Sequence, residues 1–399
     1  MQRNLLPLLM LMVLLSPLAI DIYLPSMPTM ALEYGVSDGQ VQSTLVLFLF
    51  AMGVGQILIG PLADRFGRRP IALFGIVLYG ISSLLGAYAV EFEWLQLARV
   101  FQGLAACSTS IVVFSAVRDC YDSKQSVSIY SYLNGAICVV PALAPTLGGL
   151  LALQFGWRST FIFMALYAIV VLFFVGFKFP ETRPLNTDTS GKLYRWGRYK
   201  PVLSDGHFMF YASTCMVAMA SILCYVSYSP VWLIGRLGMS ELTFSALFGL
   251  NAAVNIAACF AAPVLVRRIG NRAGVVVALN FMIAAAALEV VMQLVGPQTG
   301  LAAGFAFMLP MMLLCVGFAI LLGPATSMAL SGFGERAGTA TAMLGCIQMS
   351  GASILTALIQ LTDIPAPFAI AILMGGMSSL LLVMMGMQRF NHWHQEQHA

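Results

Sequence analysis

The chain has 399 residues, of which 60% are apolar and only 9% charged, with a formal net charge of +4 at pH 7. The charged share is about a third of that in a soluble globular domain, which excludes a protein whose surface is mostly covered by water. The positive balance points to loop topology rather than to a nucleic-acid partner, because basic residues in membrane chains gather on one side.

Apolar blocks near twenty residues long, enough to cross a ~30 Å hydrocarbon core as helix, predict spans at 5–26, 41–62, 70–90, 95–117, 127–150, 159–178, 207–230, 243–266, 273–295, 301–326, 337–359 and 366–388. The expected fold is therefore all-α, a polytopic membrane protein with twelve transmembrane helices. The first block carries Asp21 and lacks a small-residue cleavage site, so it reads as a retained helix rather than a signal peptide. The eight cysteines lie in apolar blocks or beside Arg118 and Asp119, which argues against a disulfide framework.

With the N-terminus inside, seventeen of the twenty basic residues fall on the cytoplasmic side, among them Arg3, Arg65, Arg68, Arg69, Arg118, Lys124, Arg267, Arg268, Arg272, Arg336 and Arg389. Only Arg158 and Arg236 fall outside, and Arg99 stays within a span. The positive-inside rule then places both termini in the cytoplasm of a bacterial cell, with the chain in its inner membrane.

The longest polar stretch, 180–206, holds Glu181, Arg183, Asp188, Lys192, Arg195, Arg198 and Lys200 and separates six spans from six. Three segments are expected: an N-terminal six-helix bundle over 1–178, a cytoplasmic linker loop over 179–206, and a C-terminal six-helix bundle with a short tail over 207–399. An internal repeat supports two pseudo-symmetric halves. Gly60 to Pro70 after the second span matches Ala262 to Arg272 after the eighth, pairing Pro61 with Pro263, Arg65 with Arg267 and Gly67 with Gly270. Such halves around a central site are a common transporter plan.

The sequence has no HExxH, G-x-S-x-G, Walker P-loop or Cys/His metal spacing, so no enzyme, metal site or cofactor is expected. His392, His394 and His398 in the tail read as a solvated chain end rather than a metal cluster. Without a nucleotide site, transport must draw on an ion or solute gradient.

Ionisable residues inside spans are costly unless paired or facing a cavity, and Asp21, Arg99 and Glu289 are the informative ones. By helical rise, Asp21 and Arg99 both lie roughly 24–29 Å from the cytoplasmic edge. An acid and a base at one depth form a candidate switchable pair for proton coupling; the alternative is a static pair that holds helices together. Glu289 has only apolar neighbours in sequence and reads as a carboxylate near the outer interface, with a functional role left open. Tyr130, Asn134, Tyr225, Tyr228, Asn251, Asn255 and Gln348 are candidates for a substrate cavity or for hydrogen bonds between helices. The 24 Met and 26 Phe suit an adaptable apolar surface as well as lipid contact and helix packing.

Gly60-Pro61-Leu62-Ala63-Asp64-Arg65-Phe66-Gly67-Arg68-Arg69 resembles the signature between the second and third spans of the major facilitator superfamily. Specifically, the chain resembles that superfamily's drug/proton antiporters of the bicyclomycin and chloramphenicol resistance (Bcr/CflA) type. The resemblance implies a cytoplasmic gate made of Gly60, Asp64, Arg65, Gly67, Arg68, Arg69, Arg118 and Asp119, with Asp64 meeting the start of the eleventh span and the Arg65/Arg68 group approaching Asp119. Leu95, Arg99, Gln102 and Gly103 match the family's fourth-span pattern, whose Arg is assigned to proton transfer. The antiporter motif of the fifth span is partly kept: Val140 and Ala144 replace its first two glycines, while Pro145, Gly148 and Gly149 remain, and Pro141 to Pro145 looks like the subfamily's own variant. Ser16 to Pro25, Trp157-Arg158 and Pro180-Glu181-Thr182-Arg183 look like landmarks of the subfamily.

The resemblance implies a monomeric antiporter, driven by the proton gradient without a cofactor, that exports small lipophilic substrates by alternating access. Protons, membrane lipid and those substrates are its expected partners. A dedicated exporter of one metabolite, such as a sugar, a purine or an amino acid, stays open as the alternative, with a transport-inactive receptor or an intramembrane enzyme as remote ones.

Overall fold

The computed structural model describes residues 5–184, 193–194, 196–333, 336–362 and 364–387. Arg3, Asp188, Lys192, Arg195, Arg389 and the tail histidines His392, His394 and His398 lie outside them. Twelve helices are long and apolar enough to span a membrane: α1 (Leu6–Tyr34), α2 (Asp38–Phe66), α3 (Arg68–Ala87), α4 (Phe92–Cys120), α5 (Ser128–Phe155), α6 (Arg158–Lys178), α7 (Gly206–Arg236), α8 (Glu241–Ile269), α9 (Asn271–Val295), α10 (Gly300–Leu330), α11 (Ala337–Gln360) and α12 (Ala366–Gly386). The all-α architecture matches the expectation span for span, and the described residues contain no strand.

Several helices outrun the predicted blocks because their polar ends continue the helix into caps. α2 begins at a capping box in which Ser37 accepts from the Gln40 N–H and the Gln40 side chain accepts from the Ser37 N–H, three residues before the apolar block. It runs on through the motif to Phe66, so the turn to α3 is a single residue, Gly67. Large apolar side chains such as Phe74, Ile81, Leu153, Phe173 and Leu294 are exposed along the spans, which suits hydrocarbon as the surrounding solvent.

The chain divides into two compact units, Met1–Arg195 and Trp196–Ala399. The segment expected as a free linker is partly built into them. Residues 181–183 hydrogen-bond to α2 and α3 in the first unit, and Trp196–Leu203 forms a short helix in the second.

α1 is not one continuous helix. Its α-helical turns end at Asp21, a 3₁₀ turn follows over Leu24–Ser26, and helix resumes over Met27–Tyr34. Pro25 has no N–H for the Asp21 carbonyl, and the Ser26 N–H turns to Tyr23 O at 3.0 Å instead of reaching Ile22 O. In the second unit, α7, α11 and α12 each carry a π-helical stretch, Val231–Arg236, Ile347–Gly351 and Ile372–Gly376. Such bulges locally loosen the helical ladder and are frequent at functional positions.

Candidate functional site

The break in α1 organises a buried polar centre in the first unit. Arg99 on α4 is fully buried. Its Nε donates to Thr44 O at 3.3 Å and its Nη1 to Gln102 Oε1 at 2.6 Å. Gln102, one helical turn on, donates from Nε2 to Ser83 Oγ at 2.7 Å, and Ser83 donates to Tyr79 O at 2.6 Å. The guanidinium carbon lies 4.6 Å from the ring centroids of both Tyr23 and Phe48. Thr44 Oγ donates to Val41 O, so the Tyr23 hydroxyl, 3.0 Å from Thr44 Oγ, is the donor in that contact.

Burying a guanidinium costs several kcal/mol. Hydrogen bonds to a charged group return about 1.5–3 kcal/mol each, and a desolvated cation over an aromatic face returns about 2 kcal/mol. Two such bonds and two ring faces return part of that cost without a counter-carboxylate, while Nη2 is buried with no hydrogen-bond partner among the described residues.

That finding corrects the expected Asp21–Arg99 pair. Asp21 is buried, yet among the described residues no ion pair joins it to Arg99. Equal depth does not fix azimuth. The α-helical turns stop at Asp21, so the break rather than helical register sets which side chain of α1 reaches Arg99. The side chain of α1 that meets the base is the ring, and the acid is left without a hydrogen bond or ion pair among the described residues.

Gly148 explains how α5 reaches this place. A Cβ there would fall on the Ile22 carbonyl oxygen, so only glycine lets α5 touch the backbone of the α1 break. Gly149 is buried beside it; Pro141 and Pro145 both lie inside α5, with Pro145 buried and Pro141 half-buried. Gly103 gives α4 the same close approach to Phe48 O on α2.

The α2–α3 turn forms a second cluster. Gly67 has φ +105°, a conformation that side chains rarely adopt. Buried Arg68 pairs with Asp64 at 2.7 Å and with Asp119 at 3.1 Å, and Arg118 lies 3.6 Å from Asp119. Arg68 therefore makes the expected approach to Asp119. Arg65 does not: it is exposed and has no ion pair among the described residues, because the helical register of α2 points it outward. Arg69 donates to Gly176 O on α6 at 2.7 Å. At Gly60 a Cβ would meet nothing within 4 Å, so close approach is not what that glycine supplies.

The segment after α6 clamps this turn. Glu181 accepts from the N–H groups of Arg68 and Arg69, at 2.8 and 3.2 Å, at the start of α3. Arg183 donates to the carbonyls of Asp64 and Arg65, at 3.3 and 2.5 Å, in the last turn of α2. An acid thus sits at a helix N-terminus and a base at a helix C-terminus, each satisfying orphan backbone groups and opposing the local dipole. Burial pushes the Glu181 carboxyl up, but the N–H donors of Arg183, Arg68, Arg69 and Thr182 outweigh it and hold it below the usual carboxylate range.

At the opposite end of the first unit, Glu33 on α1 pairs with Arg158 and accepts from Trp157 Nε1 at 2.5 Å, while Arg158 stacks on Trp157 at 4.4 Å. The Trp157-Arg158 landmark is thereby a clasp between α1 and α6.

The cavity candidates are divided between the two units. In the second unit, Asn251 Nδ2 donates to the Tyr225 hydroxyl at 2.6 Å, and Tyr225 stacks on Phe248. Tyr228 is buried, Asn255 is half-buried one turn from Asn251, and Gln348 is half-buried in the π stretch of α11. In the first unit Tyr130 donates to Phe114 O at 3.3 Å, and Asn134 is exposed. Glu289 is fully buried within the second unit, and its Oε1 accepts from Gln293 Nε2 at 3.0 Å. Sequence reasoning also missed Tyr23 and Gln102 as partners of Arg99; the i, i+3 spacing of Arg99 and Gln102 was the available signal for one of them.

Comparison with known proteins bears on the family and the fold. The family model of the Major Facilitator Superfamily matches residues 9–356. The multidrug resistance protein MdtL of Shewanella oneidensis is 30% identical over 356 residues, covering 89% of this chain and 88% of its own. MdtL of Klebsiella pneumoniae is 30% identical over 388 residues, covering 96% of each. The crystal structure of a D-xylose-proton symporter superposes with a TM-score of 0.75 at 16% identity, covering 96% of both chains, and shares the fold.

Proposed function

This chain belongs to the Major Facilitator Superfamily, and from that premise we propose that it is a proton-coupled antiporter exporting lipophilic drugs by alternating access. It is a multi-pass membrane protein of a transporter family, and its relatives are transporters, not enzymes. The observation that carries the proposal is the buried Asp21, without a hydrogen bond or ion pair among the described residues, beside a break in α1 that faces the Arg99 network on its other side. An unpaired acid inside the bilayer gains or loses a proton at lower cost than one locked to a cation. The break supplies a point at which that change of charge alters the shape of α1.

In this reading Asp21 binds the proton, Arg99 senses its charge through Tyr23, and Asp64, Arg68 and Asp119 hold the gate. No cofactor is needed; the proton gradient drives export, and the protein acts as a monomer in a bacterial inner membrane with both termini cytoplasmic. The names of the curated relatives support drugs as cargo, and the sequence landmarks support the bicyclomycin and chloramphenicol resistance type. The buried Tyr225–Asn251 pair favours the other reading, a dedicated exporter of one polar metabolite, because a built hydrogen-bonding pair suits a defined polar group.

Two measurements test this. In liposomes holding purified protein, a drug gradient should move protons, and Asp21→Asn should abolish that movement while the protein stays folded; wild-type proton movement in the variant refutes the coupling. A susceptibility screen of a pump-deficient bacterium expressing the chain should show resistance to several unrelated compounds. Resistance to none favours the metabolite exporter.

A further inference from the structure

We propose that Glu289 is a second proton-binding site, placed in the second unit and exchanging its proton with water when the contact between α9 and α12 opens. Glu289 has no exposed surface. Gln293, one turn along α9, donates to its Oε1 at 3.0 Å, while Oε2 is buried with no hydrogen-bond partner.

No cation faces it. The helices packed on α9 are α8, α10 and α12. α12 carries no ionisable side chain, and α10 carries only Cys315. Gly317, two residues beyond Cys315, packs against Met282, two turns from Glu289. α8 carries Glu241, Cys259, Arg267 and Arg268, but it meets α9 where Val266 touches Gly274. That contact is fifteen residues, about 22 Å by helical rise, from Glu289. Arg272, the other charged residue of α9, lies at the same far end.

Magnitudes decide the charge state. An uncompensated carboxylate in such surroundings costs several kcal/mol, and one donor returns about 1.5–3 kcal/mol. The carboxylic acid is the form that fits, with its proton on Oε2. A purely structural residue at this place would be better served by an apolar side chain of the same volume.

The neighbouring helix gives the acid a way out of its dry site. α12 covers this face of α9 so closely that a Cβ on Gly375 would come 2.7 Å from the Ala286 Cβ, one turn before Glu289. The stretch doing so, Ile372–Gly376, is π-helical. A π turn relaxes to α by shifting the register of the residues beyond it, and such a shift on α12 uncovers Glu289. The step is a proton transfer between carboxyl and water, with no other bond made or broken.

The role rests on proton-coupled transport, but the site is tested without it. Purified protein in lipid nanodiscs is followed by infrared difference spectroscopy during a pH titration. The wild type should show a protonated-carboxyl C=O band that bleaches at alkaline pH and is missing from Glu289→Gln. Glu289→Asp should shift the band, which keeps the assignment testable if the Gln variant does not fold. A band that is unchanged in both variants, or one that persists at every pH as a permanently neutral helix contact, overturns the proposal. If the band titrates as expected while drug-driven proton movement is absent, the site stands and the antiport reading falls.

Discussion

The Arg99 guanidinium lies 4.6 Å from the centroid of the Tyr23 ring, and Tyr23 is two residues past the acid that depth alone would pair with it. The base is therefore held by π faces and amide oxygens, without an ion pair to Asp21 among the described residues.

Arg99→Lys should cost more than a change of charge placement suggests. Lysine cannot bridge Thr44 O and Gln102 Oε1 with a planar fork while lying flat on two rings. Gln102 Oε1 is then left buried without its donor, a loss of about 1–3 kcal/mol. The expected outcome is a lower melting temperature in detergent and at least a tenfold loss of transport, read from thermal unfolding and from efflux in liposomes.

Gly148→Ala and Gly60→Ala form a contrasting pair. The first puts a methyl group on the Ile22 carbonyl, so α5 must move away from the α1 break, at a cost of about 1–3 kcal/mol. The second meets open space and, lying within a helix, should stabilise by about 0.5–1 kcal/mol. Melting temperatures of the two variants check both signs.

Glu181→Gln weakens the cap on α3 and should destabilise the first unit by about 1 kcal/mol. The pH dependence has a defined sign. The carboxyl is held below its reference value of 4.5 in the folded protein, so its stabilisation is complete above that reference. It is lost as the pH falls through the lower folded value. Stability measured from neutral to acidic pH should therefore fall less steeply in the Gln variant than in the wild type.

Arg158→Gln opens the Glu33 clasp. Both side chains are partly exposed, 37% and 43%, which limits the pair to about 1 kcal/mol and makes it weaken with salt. Wild type and variant should converge in melting temperature as ionic strength rises.

The twelve spans were legible because apolar length is a direct physical requirement of the bilayer, and no packing detail can override it. The Asp64–Arg68 pair was legible from a dense local motif, since i, i+4 spacing alone brings the two together, whereas the Arg68–Asp119 pair was expected only from the family resemblance. Arg99 was correctly singled out as buried, but its partner was misread, because depth follows from counting residues whereas azimuth depends on where α1 breaks. Pro25 hinted at that break without fixing the rotation on either side of it. Glu181 and Arg183 stood out only as a landmark: nothing in a sequence reveals that a segment 113 residues after Arg68 caps its helix. The burial of Glu289 was not legible, because its apolar sequence neighbours fit a helix face turned to lipid as well as one packed inside.

The clamp also fixes where the chain can be cut. The last apolar residue of α6 suggests a boundary at Lys178, yet a first half ending there would leave both ends of the α2–α3 turn without Glu181 and Arg183. The first compact unit runs past Lys178 to Arg195, and Tyr194 donates to Leu58 O at 2.9 Å, so a split or circularly permuted version of the protein should carry that segment with its first half.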